Sequence, residues 1–210
     1  MVEQIKKWDF DEYNWINEYD NRMRGMKRLS YDETLSRVFE KAAANKGDIV
    51  LDVGVGTGNL AAKFLDIGCE LIGLDPSNKM LEMAESRLNT WKERCTIQLC
   101  EDPFLEIPYP DKISNVIVST FSIHHLHDDE KRLAIKEMKR VLKPTGVIVI
   151  GDMMFKDNED KSRALNEYPD MEDEYQPTLD TFPNMFKDEG FTTEIEQVAD
   201  TVYIVRAITA

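Results

Sequence analysis

Apolar and polar positions along the chain switch repeatedly between two periods. Ile49-Val50-Leu51 enters a short β-branched run that ends in Asp52-Val53-Gly54-Val55-Gly56-Thr57-Gly58. A run this apolar predicts a strand buried on both faces of a parallel sheet, leading into a glycine-rich turn. Asn59-Leu60-Ala61-Ala62-Lys63-Phe64-Leu65 then reads as a helix. Its start would offer unpaired N–H groups to whatever the turn receives. Upstream, Leu35, Val38, Phe39 and Ala42 recur at helical spacing, which predicts an amphipathic helix over Tyr31–Ala44 behind a Ser30 cap.

The alternation continues downstream. Glu70–Asp75, Thr96–Cys100, Ser114–Phe121 and Val147–Ile150 read as further strands. Between them, Met80, Leu81, Met83 and Ala84 mark the buried side of one helix, and Leu133, Ile135, Met138, Val141 and Leu142 that of another. Asp128-Asp129-Glu130 caps the second helix, Lys139, Arg140 and Lys143 lie in its last turns, and Pro144-Thr145-Gly146 stops it. After an acid-rich stretch, Leu179, Phe182, Met185 and Phe186 suggest a helix closing at Gly190. Glu194–Val198 and Val202–Ala207 are two last strands joined at Asp200-Thr201. Strands alternating with helices place the chain in the α/β class.

Composition narrows this picture. At 210 residues and 42% apolar content, one domain with a single core is expected. Met1–Asp9 has no apolar signal core, and no run approaches the roughly 18 apolar residues of a membrane span, so a cytoplasmic protein is expected. The net charge of −14 opposes phosphate backbones and disfavours nucleic acid as a partner. Residues 151–190 hold 12 acids against 4 bases, a lid over the site or a solvated insertion. Cys69, Cys95 and Cys100 lack metal-ligand spacing and read as buried thiols.

Chemistry collects at the predicted strand ends. The glycines at 54, 56 and 58 are spaced G-x-G-x-G, with Asn59 in the last position of the dinucleotide pattern G-x-G-x-x-G, so a nicotinamide-dependent oxidoreductase is the weaker reading. Asp75 ends the next strand, where a carboxylate can accept hydrogen bonds from both ribose hydroxyls. Asp102 follows the third strand and could accept from an adenine amino group, with Pro103 and Phe104 against the ring. Asp52, Asp75 and Asp102 thus recur after successive strands. His124 and His125 follow the fourth and are candidates for a general base or a substrate contact. No third ligand accompanies them in sequence, so no metal site is expected. Trp8, Phe10, Tyr13, Trp15 and Tyr19 form an aromatic N-terminal stretch that could cover the site or dock on the core.

Several separated motifs together resemble class I S-adenosylmethionine-dependent methyltransferases, and over most of the chain the YrrT-type bacterial group. They are Leu51-Asp52-Val53-Gly54-Val55-Gly56-Thr57-Gly58, Gly73-Leu74-Asp75-Pro76-Ser77, Glu101-Asp102, Val118 through Leu126, and Val141-Leu142-Lys143-Pro144-Thr145-Gly146. Asn115, where an acid is common, and Thr145, where glycine is frequent, depart from the pattern. The resemblance implies a Rossmann-like, seven-stranded, mostly parallel sheet with helices on both faces and an antiparallel C-terminal strand pair. It implies one methyltransferase domain over residues 1–210: an N-terminal segment and helix (1–46), a cofactor-binding core (47–151), an acidic variable segment and helix (152–190), and the strand pair (191–210). It further implies S-adenosyl-L-methionine as cofactor, with its amino-acid end at Asp52, Gly54, Gly56 and Gly58, its ribose on Asp75, its adenine near Asp102, and Tyr19 among the residues around it. Methyl transfer to a small-molecule acceptor is the expected activity. A module that binds S-adenosylmethionine without methylating is the alternative from another class.

Overall fold

Strand β1 (Ile49–Val53) is buried from Val50 onward, as its sequence requires, and the remaining strands assemble on either side of it. The computed structural model of the protein describes residues 18–171 and 174–209. With β2 (Glu70–Asp75), β3 (Cys95–Leu99), β4 (Ser114–Thr120), β5 (Leu142–Met153), β6 (Phe191–Ala199) and β7 (Val202–Thr209), β1 forms one sheet of order β3-β2-β1-β4-β5-β7-β6. Strands β1 to β5 pair in parallel, and β7 runs antiparallel to both β5 and β6. The register aligns Asp75 with Leu99 and Thr120 with Gly151, so the carboxyl ends of the parallel strands share one edge. That edge is where parallel α/β sheets receive ligands.

Helices cover both faces. Helices α2 (Tyr31–Ala42), α3 (Asn59–Asp66) and α4 (Asn78–Leu88) pack Leu35, Phe64 and Leu81 with Val50 on one side. On the other, α5 (Asp128–Val141) and α7 (Phe182–Asp188) pack Ile135, Met138 and Phe186 with Leu51 and Val53. Alternate residues of β1 point to opposite layers, which is why both must be apolar. A short helix α1 (Tyr19–Gly25) precedes α2, and α6 (Asn158–Glu167) lies in the acidic segment.

Several boundaries differ from the sequence reading for local reasons. Leu142 opens β5 and does not end α5; it stays buried because Ser114 pairs with it before the register shifts at Val116 and Val147. Ser30 precedes α2 in a left-handed conformation, and its side chain makes no capping bond. Helix α2 stops at Ala42, since Ala43 is itself left-handed. Helix α6 was not predicted: none of its residues is fully buried and only Ala164 and Leu165 pack partly against the core, too short an apolar signal to read, and Asp157 caps it by accepting from the Asp160 N–H at 2.8 Å. Of the three cysteines only Cys69 is buried. Asn115 has a structural use, its Oδ1 accepting from the Ile49 N–H at 3.0 Å and from Lys143 Nζ at 2.7 Å.

Candidate active site at the carboxyl edge of the sheet

The turn after β1 folds back on the end of β2. Gly54, Gly56 and Gly58 all have positive φ, and the N–H groups of Gly54 and Val55 both donate to the Leu74 carbonyl, at 2.8 and 3.0 Å. Gly54 also lets another segment approach: a Cβ there would lie 2.3 Å from Ser122 Oγ. The Asp75 carboxylate meets the turn directly. Its Oδ2 accepts from the Gly56 N–H at 2.8 Å and its Oδ1 from the Ser77 N–H at 2.9 Å. Asp52 lies inside β1, 1% exposed, with no hydrogen bond to either carboxylate oxygen among the described residues. Burial, then repulsion from Asp75, raises its pKa well above the ordinary value.

Helix α1 closes over this turn. Asp20 Oδ1 accepts from Thr57 Oγ1 at 2.7 Å and Asn59 Nδ2 at 2.8 Å, and its Oδ2 from Arg87 Nη2 at 2.6 Å. Arg87 also donates to the Thr57 carbonyl, so one carboxylate and one guanidinium staple three segments. Tyr19 sits beside them. Its phenol is pushed well above its usual pKa by burial first and then by the fields of Tyr31, Asp75, Asp20 and Asp152. Tyr31 is raised to about 12, mainly by burial, and its ring stacks on Phe121 at 5.6 Å between centroids. Trp8, Phe10, Tyr13 and Trp15 lie outside the described residues.

Strand β4 delivers the histidines. Phe121 takes a φ of 51°, a conformation that non-glycine residues seldom adopt, and it turns the chain sharply as β4 ends. Asp152, fully buried near the end of β5, then accepts four hydrogen bonds. Its Oδ2 takes the Ser122 and Ile123 N–H groups at 2.9 and 2.8 Å, and its Oδ1 takes His124 Nδ1 at 2.5 Å and the Met153 N–H at 2.7 Å. An ionised carboxylate only accepts, so His124 carries a proton on Nδ1 and turns Nε2 toward Glu174. The His125 ring lies 4.1 Å from the His124 ring, and Glu174 Oε1 is 3.7 Å from His124 Nε2. Burial pulls the His124 pKa down, but Asp152 and Glu174 outweigh it and the net shift is upward. His125 is driven well below its usual value by burial and by His124.

The acidic segment reaches this corner. The Tyr175 N–H donates to the His124 carbonyl at 2.8 Å, and the Tyr175 ring lies 3.7 Å from that of His127. Lys131, whose side chain is wholly buried, donates from Nζ to Leu126 O at 2.5 Å, Tyr175 O at 2.6 Å and Asp128 Oδ1 at 3.1 Å. Burial lowers its pKa. Asp102 is half-buried beyond β3, one strand over from Asp75, with Phe104 buried next to it and the Cys100 N–H on the Asp75 carbonyl at 3.0 Å.

The structure therefore gathers Asp52, the three glycines, Asp75, Tyr19 and His124 with His125 along one edge, with Asp102 at its far end. Sequence reasoning did not single out Asp152, Asp20, Lys131 or Glu174. Asp152 ends a strand as Asp75 does, and that signal was available. Glu174 arrives from irregular chain, which carries no such signal.

A parallel sheet with this turn and an antiparallel final pair defines a Rossmann-like methyltransferase, and the family described as "Methyltransferase domain" matches residues 50–146. The chain belongs to the YrrT-type methyltransferases. It is 34% identical over 207 residues to the uncharacterized methyltransferase YrrT of Bacillus subtilis, covering 93% of this chain and 94% of that protein. It is 36% identical over 211 residues to an uncharacterized methyltransferase of Oceanobacillus iheyensis, covering 92% and 93%. Among solved structures it shares its fold with the putative methyltransferase bound to the activator Trm112 from Haloferax volcanii (TM-score 0.74, 18% identity, 93% of this chain and 96% of that one). It likewise resembles a SAM-dependent methyltransferase from Aquifex aeolicus (TM-score 0.68, 22% identity, 90% and 98%).

Proposed function

We propose that the protein binds S-adenosyl-L-methionine along this edge and transfers its methyl group to a small-molecule acceptor. The observation that carries the reading is the contact between Asp75 and the Gly56 N–H, which joins the acid ending β2 to the compact glycine turn. In this reading the glycine turn holds the amino-acid end of the cofactor, and the buried carboxylate of Asp52 takes its ammonium group. Asp75 accepts from the ribose hydroxyls and Asp102 from the adenine amino group, with Tyr19 closing the pocket beside the sulfonium. These residues fit the cofactor because Asp52 is a buried carboxyl whose oxygens have no hydrogen-bond partner among the described residues, and a cationic ligand would favour its ionised form.

The acceptor attacks the methyl carbon in line, and the methyl–sulfonium bond breaks with its electron pair going to sulfur. The donor carries its own activation, so the chain mainly aligns the partners, an effect that supplies about 7–11 kcal/mol in favourable systems. His124, aimed by Asp152, and His125 stand on the acceptor side. Where the acceptor carries a proton, the Nε2 lone pair of His124 takes it. The docking of α1 on the glycine turn and of Tyr175 on His124 favours a small acceptor, and the net charge of −14 disfavours a nucleic acid.

Calorimetric titration tests this. S-adenosylmethionine and S-adenosylhomocysteine are expected to bind in the micromolar range and NAD not to compete. Asp75→Ala should weaken both by about 100-fold or more, since it removes hydrogen bonds to a charged group. Tight binding of NAD alone would sink the reading. Transfer of labelled methyl from S-adenosylmethionine to a metabolite pool then separates an enzyme from a binding module.

A further inference from the structure

We infer that His124, His125 and Glu174 bind one divalent transition-metal ion of the zinc class. Each residue offers one ligand atom, and the three atoms lie within 4.8 Å of one another. Ligands about 2.0–2.2 Å from a tetrahedral ion are themselves roughly 3.3–3.5 Å apart. The 3.7 Å between His124 Nε2 and Glu174 Oε1 is close to that separation, so a small contraction closes the set.

The surroundings are arranged as a metal site needs. Histidine ligands commonly give their second ring N–H to a carboxylate, which fixes the ring and raises its basicity. Asp152 does this for His124 at 2.5 Å, and three backbone N–H groups hold Asp152 itself. Glu174 is also oriented from behind. Its Oε2 accepts from Gln176 Nε2 at 3.1 Å, and that amide, on a residue 3% exposed, also donates to the Met171 carbonyl at 2.7 Å. The backbone of the next residue is fixed by the His124 carbonyl and Lys131. Two carboxylates and one buried ammonium surround the imidazoles, leaving a local negative balance for a dication to neutralise. Two nitrogens and one oxygen select zinc or a neighbouring transition metal over magnesium or calcium. Two histidines and a glutamate form a donor set that leaves a fourth position open in catalytic zinc sites.

The catalytic use of this ion rests on the methyltransferase reading; its binding does not. At the open position a thiol or hydroxyl of the acceptor loses its proton to water on coordination. Its lone pair then forms the bond to the methyl carbon, and the cofactor leaves as a neutral thioether. With the ion in place, the Nε2 lone pair of His124 is committed to the metal, and the ion takes over activation of the acceptor.

The test is titration of the chelator-treated protein with Zn²⁺ by calorimetry and with Co²⁺ by visible absorption, both without S-adenosylmethionine. One ion per chain is expected, with the intense visible bands of four-coordinate cobalt. Glu174→Gln and His125→Ala should each weaken Zn²⁺ binding by about 100-fold, and Asp152→Asn, a positioning change, by about 10- to 100-fold. Glu159→Gln on the exposed face of α6 should bind as the parent does. Circular dichroism and thermal unfolding of each variant show that it is folded. Absence of stoichiometric binding, or binding retained in both Glu174→Gln and His125→Ala, overturns the inference. Because no cofactor is present, failure here leaves the cofactor titration standing, and the converse also holds.

Discussion

Asp52 is a carboxylate inside a parallel sheet, and its burial has a sign that can be measured. A polar group buried without a partner costs about 1–3 kcal/mol by mutational measures, and ionising it costs more. Its neighbours Val50, Leu51 and Val53, each fully buried, offset that with roughly 1.5–3 kcal/mol apiece. The folded pKa is raised, by burial first and then by Asp75, while the unfolded chain titrates near 3.9. Below the unfolded value both states hold the proton and no stability is lost. As pH rises toward and through the folded value, the unfolded chain releases its proton first, so the ligand-free protein loses stability. Asp52→Asn removes this slope. The difference in unfolding free energy between variant and parent is therefore expected to move in favour of the variant from pH 5 to pH 8. A difference that stays flat across that range would show that Asp52 does not carry the effect. Saturation with S-adenosylmethionine should oppose the loss, because its ammonium group favours the ionised carboxylate.

Helix α1 shows what a seven-residue element needs in order to stay in place. Tyr19 and Met23 are only partly buried, Met23 against the core, and a helix this short does not hold itself in water. The exposed pair of Arg24 with Asp32 adds little. The three hydrogen bonds to Asp20 therefore add to the packing of Met23 in docking it, each to a charged group and so worth roughly 1.5–3 kcal/mol. Asp20→Ala is expected to raise the open population of α1 on the order of 10- to 100-fold, read as faster tryptic cleavage after Arg22 and Arg24. Equal cleavage rates in parent and variant would mean that the helix is held by something else. What was legible at this scale follows from the same physics. The ends of β1 and β2 could be read because a doubly buried strand must be apolar and a change to Asp or Gly marks its exit. The docking of Asp20 on Thr57, Asn59 and Arg87 could not, since it depends on where two distant helices meet. The join of α5 to β5 was misread because Leu142 is apolar in either role, and only its pairing with Ser114 decides between them.

Across the whole molecule, the acidic segment is not uniform, and the sheet decides which part is held. Its charge reads as a solvated insertion or a lid, and its two parts differ in how they are held. Helix α6 is largely solvated, with only Ala164 and Leu165 partly buried against the core. Past Glu174, by contrast, the chain is stitched to the exit of β5: the Phe155 N–H donates to Pro177 O at 3.1 Å, the Leu179 N–H to Phe155 O at 2.8 Å, and Phe155 bridges Thr178. Phe155 itself is 1% exposed, so these bonds are anchored in the core. Amide exchange followed by NMR should separate the two parts. The amides of α6 are expected to exchange through local opening, while those of Tyr175, donating to His124, and Leu179 approach the protection of β5. Protection at Leu179 with rapid exchange at Tyr175 would place the boundary between them and leave the histidines uncovered. Rapid exchange at both would remove the roof from the acceptor side altogether. Slow exchange at both would make the loop that carries Glu174 part of the same cooperative unit as the strand that carries Asp152. The two carboxylates that flank His124 would then be held in register by the fold itself, although they lie far apart in the chain.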